Sequence, residues 1–309
     1  MDQEEGDAPL GDDRLEMLDL LLGDIGQGIR GFAMGGLGFE VDVMAFVYAI
    51  VIGGGLGLEI GMRNLRPMRV IDRDYVANMI FGEKDIIVTL GQDGLAVNVM
   101  KYLNGQPLIG INPDPFRWEG NLSVFNPNEL GIVLPAVIEN DYHAADISMA
   151  KASTKDGQIL YAVNDFFVGV NDHTSARYEL NYRDMTENQS SSGIIISTPL
   201  GMSGWHKSIL AQLRGMAKAF GLGEVEENPV GWYEKFLLFQ VREPFPSVNT
   251  MADLVYGRVE EDETLRLVSN MPEKGIIFSD GVLEDGIEFS AGMEVTVEVA
   301  DRTGKLVTW

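Results

Sequence analysis

The chain reads as an α/β domain followed by a β-rich one: a Rossmann-like parallel sheet in the N-terminal half, then an all-β-like C-terminal domain. Three observations predict this. Residues 85–90 (DIIVTL) and 107–111 (PLIGI) are short apolar runs of the kind found in strands buried on both faces. Between them Leu95, Val99 and Leu103 recur at helical spacing, and a strand, a turn, a helix and a strand in that order imply parallel pairing. After Gly120 the pattern changes to many short strands, at 159–163, 166–170, 177–182, 193–198, 236–241, 265–268 and 294–299.

Taken in order, the first element is an acidic tail. Residues 1–13 carry six acids and no base, which is unlike a signal peptide with its basic start and apolar run. A short helix fits residues 13–22, closed by Gly23. Residues 43–58 hold no charge. Sixteen residues are at the short end for a membrane span, and Gly53, Gly54, Gly55 and Gly57 interrupt them. The favoured reading is a buried strand at 45–52, a glycine turn and a helix at about 56–65, with a membrane helix as the alternative. The glycines miss the dinucleotide fingerprint by one residue, since Leu58 or Ile60 stands where its last glycine belongs; close backbone packing is the expected use. The α/β domain then runs over 14–120 and the β-rich domain over 121–309, with the C-terminal end expected to pack back on the first domain. One long helix interrupts the strands. Ser203 is its expected N-cap, Trp205, Ile209, Leu213, Met216 and Phe220 share a face, and Gly221 ends it.

Composition excludes several functions. There is no cysteine, so thiol chemistry, disulfides and Cys-based zinc sites are impossible, and three histidines make an all-His metal site an unfavourable expectation. Forty-seven acids against 23 bases leave a net charge of −24, which repels a nucleic-acid backbone. A small anion can still be held locally by backbone N–H groups and a metal ion.

Three segments carry candidate chemistry. Asp93 sits between Gly91-Gln92 and Gly94 on a strand-to-helix turn, at the edge of a parallel sheet where ligands bind. The helix that follows points free N–H groups into the same crevice, which suits a phosphate. Asp93 is there either to take a proton or bind magnesium, or simply to cap the helix. Asn164-Asp165 lies between two apolar strands and is either a self-satisfied bend or a pair of ligand contacts. Third, a buried strand (GIIIS, 193–197) opens into Thr198-Pro199-Leu200-Gly201-Met202-Ser203-Gly204-Trp205, a backbone-lined loop whose Trp205 either stacks on a base or joins the core.

GQDG after a buried strand, then ND, then SSSGIIISTPLGMSGW, in this order, resembles the NAD kinase family, which shares its fold with diacylglycerol and sphingosine kinases. The family's hallmarks are GGDGT, an NE or ND pair, and a strand leading into STPTGSTAY. Phe278-Ser279-Asp280-Gly281 resembles its final DG motif, and the likeness runs from about Met68 to the end. It is closest to a divergent branch with GQDGL, NPDP, SARY and SSSG.

The resemblance implies an ATP-dependent kinase acting on the adenosine-ribose 2′-hydroxyl of NAD, cytoplasmic and homo-oligomeric, with magnesium entering on ATP. Asp93 would be the general base. Gly91 and Gly94 would let phosphates approach the backbone, and Asn164 and Asp165 would hold the dinucleotide. Thr198, Ser203 and Ser208 would line the nucleotide pocket, with Trp205 in place of the stacking tyrosine. Arg177 is a candidate phosphate partner, or the partner of a surface acid. Gln92 and Leu95 depart from the family's second glycine and threonine. These departures keep open a nucleotide-binding regulator without catalysis, and a sugar or lipid hydroxyl remains a possible acceptor.

Overall fold

A computed structural model describes residues 49–52, 69–223, 225 and 229–309. The expected acidic tail, the helix at 13–22, the glycine turn and the helix at 56–65 lie outside the described residues. Among the described residues no helix is long and apolar enough to cross a membrane.

The first sheet begins with parallel strands. β1 (Ala49–Ile52) pairs with β2 (Arg69–Ile71) on one side and β3 (Ile86–Leu90) on the other, and β3 pairs with β4 (Pro107–Ile111). The crossover from β3 to β4 is helix α1 (Asp93–Met100). Side chains of β3 and β4 alternate between two apolar layers. Ile87 and Leu108 pack with Ala96, Val97 and Met100 of α1. Ile86, Val88, Ile109 and Ile111 pack on the other face against α2 (Leu130–Ile138). Burial on both sides is why these strands are continuously apolar.

α2 was not legible in the sequence pattern, and Pro135 lies inside it. Its start is nonetheless well specified. Asn126 and Glu129 form a reciprocal capping box at the preceding turn Pro127–Glu129.

The remainder is a β-sandwich. β5 (His143–Thr154), β6 (Ile159–Ala162), β8 (Ala176–Tyr182), β9 (Met185–Ser191), β13 (Leu265–Ser269) and β16 (Glu294–Thr308) extend the first sheet. The second sheet is antiparallel, in the order β12-β11-β10-β7-β14-β15. These are β7 (Asp165–Val170), β10 (Ile194–Ser197), β11 (Phe236–Val241), β12 (Tyr256–Glu260), β14 (Gly275–Ser279) and β15 (Val282–Glu288). Alternate residues of β8 (Ala176, Tyr178, Leu180, Tyr182) face the core between the sheets, against Phe166, Val168, Ile194 and Phe239 of the second sheet. The two-part fold class read from the sequence is therefore borne out. β2, β5, β9, β12, β14 and β15 are additions to the strands expected.

β16 joins the halves. Its first part pairs antiparallel with β13, and Lys305 and Leu306 pair in parallel with Pro107 and Leu108 of β4. A register shift between Val299 and Thr303 along β5 lets one strand serve both geometries. Leu306 is fully buried in the α1-side core. Leu306→Ala is expected to cost about 2–5 kcal/mol. Its urea midpoint should fall with an unchanged slope; a parental midpoint would show that the last strand stands outside the cooperative core.

Candidate functional site

β3 delivers the first candidate turn. Gln92 is extended at the N-cap without a side-chain capping bond, and α1 starts at Asp93, two residues before the expected Leu95. Asp93 does not cap the helix. Its carboxylate crosses to the loop after β4: Oδ2 accepts from the Asn121 N–H at 2.8 Å, and Oδ1 accepts from Leu122 at 3.0 Å and Ser123 at 2.9 Å. A carboxylate has about four acceptor positions, so one on Oδ2 stays open. The other side of that loop hangs on Asn112, which donates to the Trp118 carbonyl and accepts from Asp114 N–H. Gly110 allows the close approach, since a Cβ there would lie 2.4 Å from the Leu122 carbonyl oxygen.

The result is a cleft of about 310 Å³ lined by Asp93, Gly94, Asn112, Arg117, Glu119 and neighbours. Gly94 opens onto it: a Cβ there would meet nothing within 4 Å. Gly91 is covered instead by the flexible end of Leu95, 2.9 Å from a Cβ added there. Arg117 is the cation of the cleft lining. Its side chain is 74% exposed, and Asp114 at 3.7 Å is a loose partner. Sequence reasoning passed over Arg117. The available signal was a basic residue in a proline-rich loop directly after a buried strand.

The second group is built where the chain leaves β6 for β7 and so changes sheets. Here Asp280, on the β14–β15 turn, accepts from the backbone N–H groups of Val163 (3.0 Å), Asn164 (2.7 Å) and Asp165 (3.2 Å). The loop after β10 closes from the other side. Thr198 N–H donates to the Asn164 carbonyl, the Thr198 hydroxyl donates to the Val163 carbonyl at 2.6 Å, and Gly201 N–H donates back to that hydroxyl. Gly201 is sterically required, because a Cβ would fall 1.9 Å from the Asn164 carbonyl oxygen. The side chains of Asn164 and Asp165 make no hydrogen bond within the described residues. Val163 and Leu200 share a core with α1, which brings this group against the helix that carries Asp93.

Electrostatics set Asp165 apart. Burial, reinforced by the charge of Asp280, raises its carboxyl to about 7. Burial also raises Asp280 to about 6, against the pull of its three amide donors and of Lys101.

The remaining candidates lie elsewhere. Gly204, not Ser203, is the N-cap of α3 (Trp205–Phe220). Ser203 belongs to a short 3₁₀ turn, and its hydroxyl donates to the Leu200 carbonyl at 2.9 Å, a local bond that competes with capping. Gly221 ends the helix in the left-handed region, as expected. Trp205 lies parallel to Phe167 at 5.8 Å with the Arg242 guanidinium over its ring. Trp205 and Ser208 line a second groove of about 490 Å³, which shares no lining residue with the Asp93 cleft. α3 packs inward through His206, Leu210 and Ala217. The apolar face of Leu213, Met216 and Phe220 looks outward, with Phe220 71% exposed. Arg177 is exposed on β8 and lines neither cleft. Among the described residues, no three His, Asp or Glu side chains gather as a metal site.

No family model matches the chain. Among curated proteins it is 25% identical over 143 residues to an NAD kinase of Thermoplasma acidophilum, covering 44% of this chain and 51% of that protein. It is 26% identical over 166 residues to an NAD kinase of Thermococcus kodakarensis, covering 52% and 59%. An NAD kinase of Chlorobaculum tepidum matches at 27% over 127 residues, covering 40% and 44%. The chain thus spans about half the length of the curated relatives it matches. Among solved structures it superposes on yeast NADH kinase complexed with NADH at a TM-score of 0.59 and 15% identity, covering 94% of this chain and 80% of that one. An Archaeoglobus fulgidus NAD kinase in complex with ATP gives 0.53 and 16%, covering 85% and 93%. The fold is that of NAD kinases, and the resemblance read from the motifs is borne out as a distant one.

The raised carboxyls make a signed prediction. A carboxyl with a folded pKa above its unfolded value of about 3.9 stabilises the protein at low pH and loses that contribution as pH rises through the folded value. For Asp165 the window runs from about pH 4 to about 7. The melting temperature of Asp165→Asn should therefore gain on the parent steadily across that window. A parent-minus-variant difference that stays flat with pH would sink the assignment.

Proposed function

We propose that the protein is a phosphotransferase that moves the γ-phosphoryl group of ATP to the adenosine-ribose 2′-hydroxyl of NAD. One observation carries the reading: Asp93 stands at the N-terminus of α1 in an open cleft, with one acceptor position of Oδ2 unused. In the proposed reaction that oxygen takes the hydroxyl proton. The acceptor oxygen forms a bond to the γ-phosphorus, the bond from that phosphorus to the bridging oxygen breaks, and ADP leaves. The free N–H groups of α1 and Arg117 face the phosphates, while Asn164 and Asp165 hold ribose hydroxyls. Magnesium fits as an ion carried in on ATP, because it needs only one or two carboxylates beside phosphates and water, and Glu119 in the cleft lining offers one. Bound there, it would neutralise charge on the transferring phosphoryl group.

Two further parts of the reading rest on the resemblance. The protein is cytoplasmic, and it forms a homo-oligomer in which a second copy covers the outward apolar face of α3; a monomer by light scattering at micromolar concentration would remove that second part. The observation that favours a non-catalytic binder is Leu95, which sets an apolar side chain where the family has a hydroxyl.

Assay with NAD, ATP and magnesium, reading NADP, decides between them. Asp93→Asn should lower turnover by roughly 10²–10⁴-fold, the usual worth of a positioned base. It should also lose about 1–3 kcal/mol of stability, because an amide turns one N–H₂ against a backbone donor. Gly94→Ala separates binding from folding. The site has room for the methyl group and helix propensity favours it, so the melting temperature should hold or rise. The KM for ATP should increase on the order of tenfold, 1.4 kcal/mol. No NADP from the parent, with nucleotide still raising its melting temperature, would establish the binder instead.

A further inference from the structure

The far end of α1 holds a buried charge that the reaction does not use. Lys101, the C-cap residue, is 2% exposed. Its ammonium donates to the Ser279 hydroxyl at 3.0 Å and pairs with the Asp285 carboxylate at 2.7 Å. Tyr102 donates to the same Asp285 carboxylate, and Arg302 donates to the Lys101 carbonyl at 2.6 Å. Ser279 and Asp285 flank the β14–β15 turn, whose Asp280 and Gly281 both have positive φ. That turn presents Asp280 to the amides of Val163, Asn164 and Asp165, and Lys101 is the positive charge acting on Asp280.

A chain of contacts, buried at Lys101 and Ser279 and part-buried at the adjoining Asp280, therefore runs from α1 to the pair that the proposed function assigns to the dinucleotide. We propose that Lys101 is a positioning residue: from one end of α1 it fixes the β14–β15 turn, and through Asp280 it sets Asn164 and Asp165 relative to Asp93 at the other end. The helix is the ruler. Its eight residues span about 12 Å, and neither end can shift without moving the other. The geometry also explains why a lysine is spent here. A buried ammonium has three donors and can hold a hydroxyl and a carboxylate on opposite strands of one hairpin, which an apolar side chain cannot do. The groups facing this network are Asp280, Asp285 and Glu284 on the hairpin, Tyr102 just past the end of α1, Asp165 on β7 and Arg302 on β16.

The role deepens the kinase reading and rests on it, so the test carries one readout free of turnover. Lys101→Met, Lys101→Arg and Asp280→Asn would be compared with the parent by amide hydrogen exchange and by steady-state kinetics. In Lys101→Met, exchange at residues 163–165 should speed up about tenfold while α1 amides stay protected. The KM for NAD should rise and kcat fall, with the KM for ATP unchanged. Lys101→Arg should restore most of both. Asp280→Asn, whose left-handed backbone suits asparagine, should reproduce the effect should Lys101→Met fail to fold, and combined with Lys101→Met it should add little. Exchange at 163–165 that stays parental in a folded Lys101→Met or Asp280→Asn protein would overturn the proposal, whatever the turnover. Absence of turnover in the parent would instead strike the kinase reading, and the exchange result would still judge Lys101.

Discussion

One carboxylate holds the site together. Where the chain leaves the first sheet at the end of β6 and enters the second at β7, the amides of residues 163–165 face a single acceptor. Buried N–H groups without acceptors cost about 1–3 kcal/mol each. Asp280 satisfies all three from a turn more than a hundred residues away in sequence. This fixes the sheet switch. It also places two carboxyls close together in a poorly solvated region, which is why burial raises both.

Asp93 uses the same device at the other end of the site. Each of the two acids grips three successive amides, and each gripped segment borders a place where a ligand is proposed to sit. The difference lies in surroundings. Asp280 sits among poorly solvated groups beside the Lys101 charge, which suits an architectural role. Asp93 lines an open cleft, where the proposed function gives it the proton. The pairing also bears on how a chain of charge −24 would attract the phosphates of the proposed substrates. Bulk potential opposes it, and the local field comes from helix N–H groups and from Arg117, held in place by acids whose own charge is already matched to backbone donors.

Much of this was legible from sequence because the parallel unit is local. β3, the glycine turn, α1 and β4 follow one another within thirty residues, and their apolar runs and glycines announce them. The order of the three motifs then pointed to the fold. What stayed hidden depends on distant partners. β15 shows no regular alternation of buried and exposed residues, and Asp280, though it stands in a DG motif, shows its role only when its partners at 163–165 are seen. Lys101 reads as a surface lysine, since nothing nearby in sequence tells that Ser279 and Asp285 enclose it. Ser203 misled in the opposite way: a good capping residue at the right spacing was diverted by a carbonyl three residues back. In α3 the apolar stripe was correctly grouped, but the helix buries its other side through His206, which meets Gln240 at 2.5 Å.

The departures at Gln92 and Leu95 sharpen what the site can still rely on. Gln92 keeps the extended geometry that launches α1, and its carbonyl accepts the Leu95 N–H at 2.9 Å, so the helix begins where a glycine-rich turn would start it. The Leu95 side chain folds back over Gly91 and fills space that a smaller, hydroxylic side chain would leave open. The turn has thus lost a hydroxyl at 95 and gained the Gln92 carboxamide, which lines the cleft. A phosphate approaching the turn would meet peptide N–H groups, the open surface of Gly94 and the Arg117 guanidinium. Recognition by backbone is insensitive to residue identity but depends on geometry. A site of this kind gains most from rigid anchors, and the two triply bonded carboxylates at opposite ends of α1 supply them.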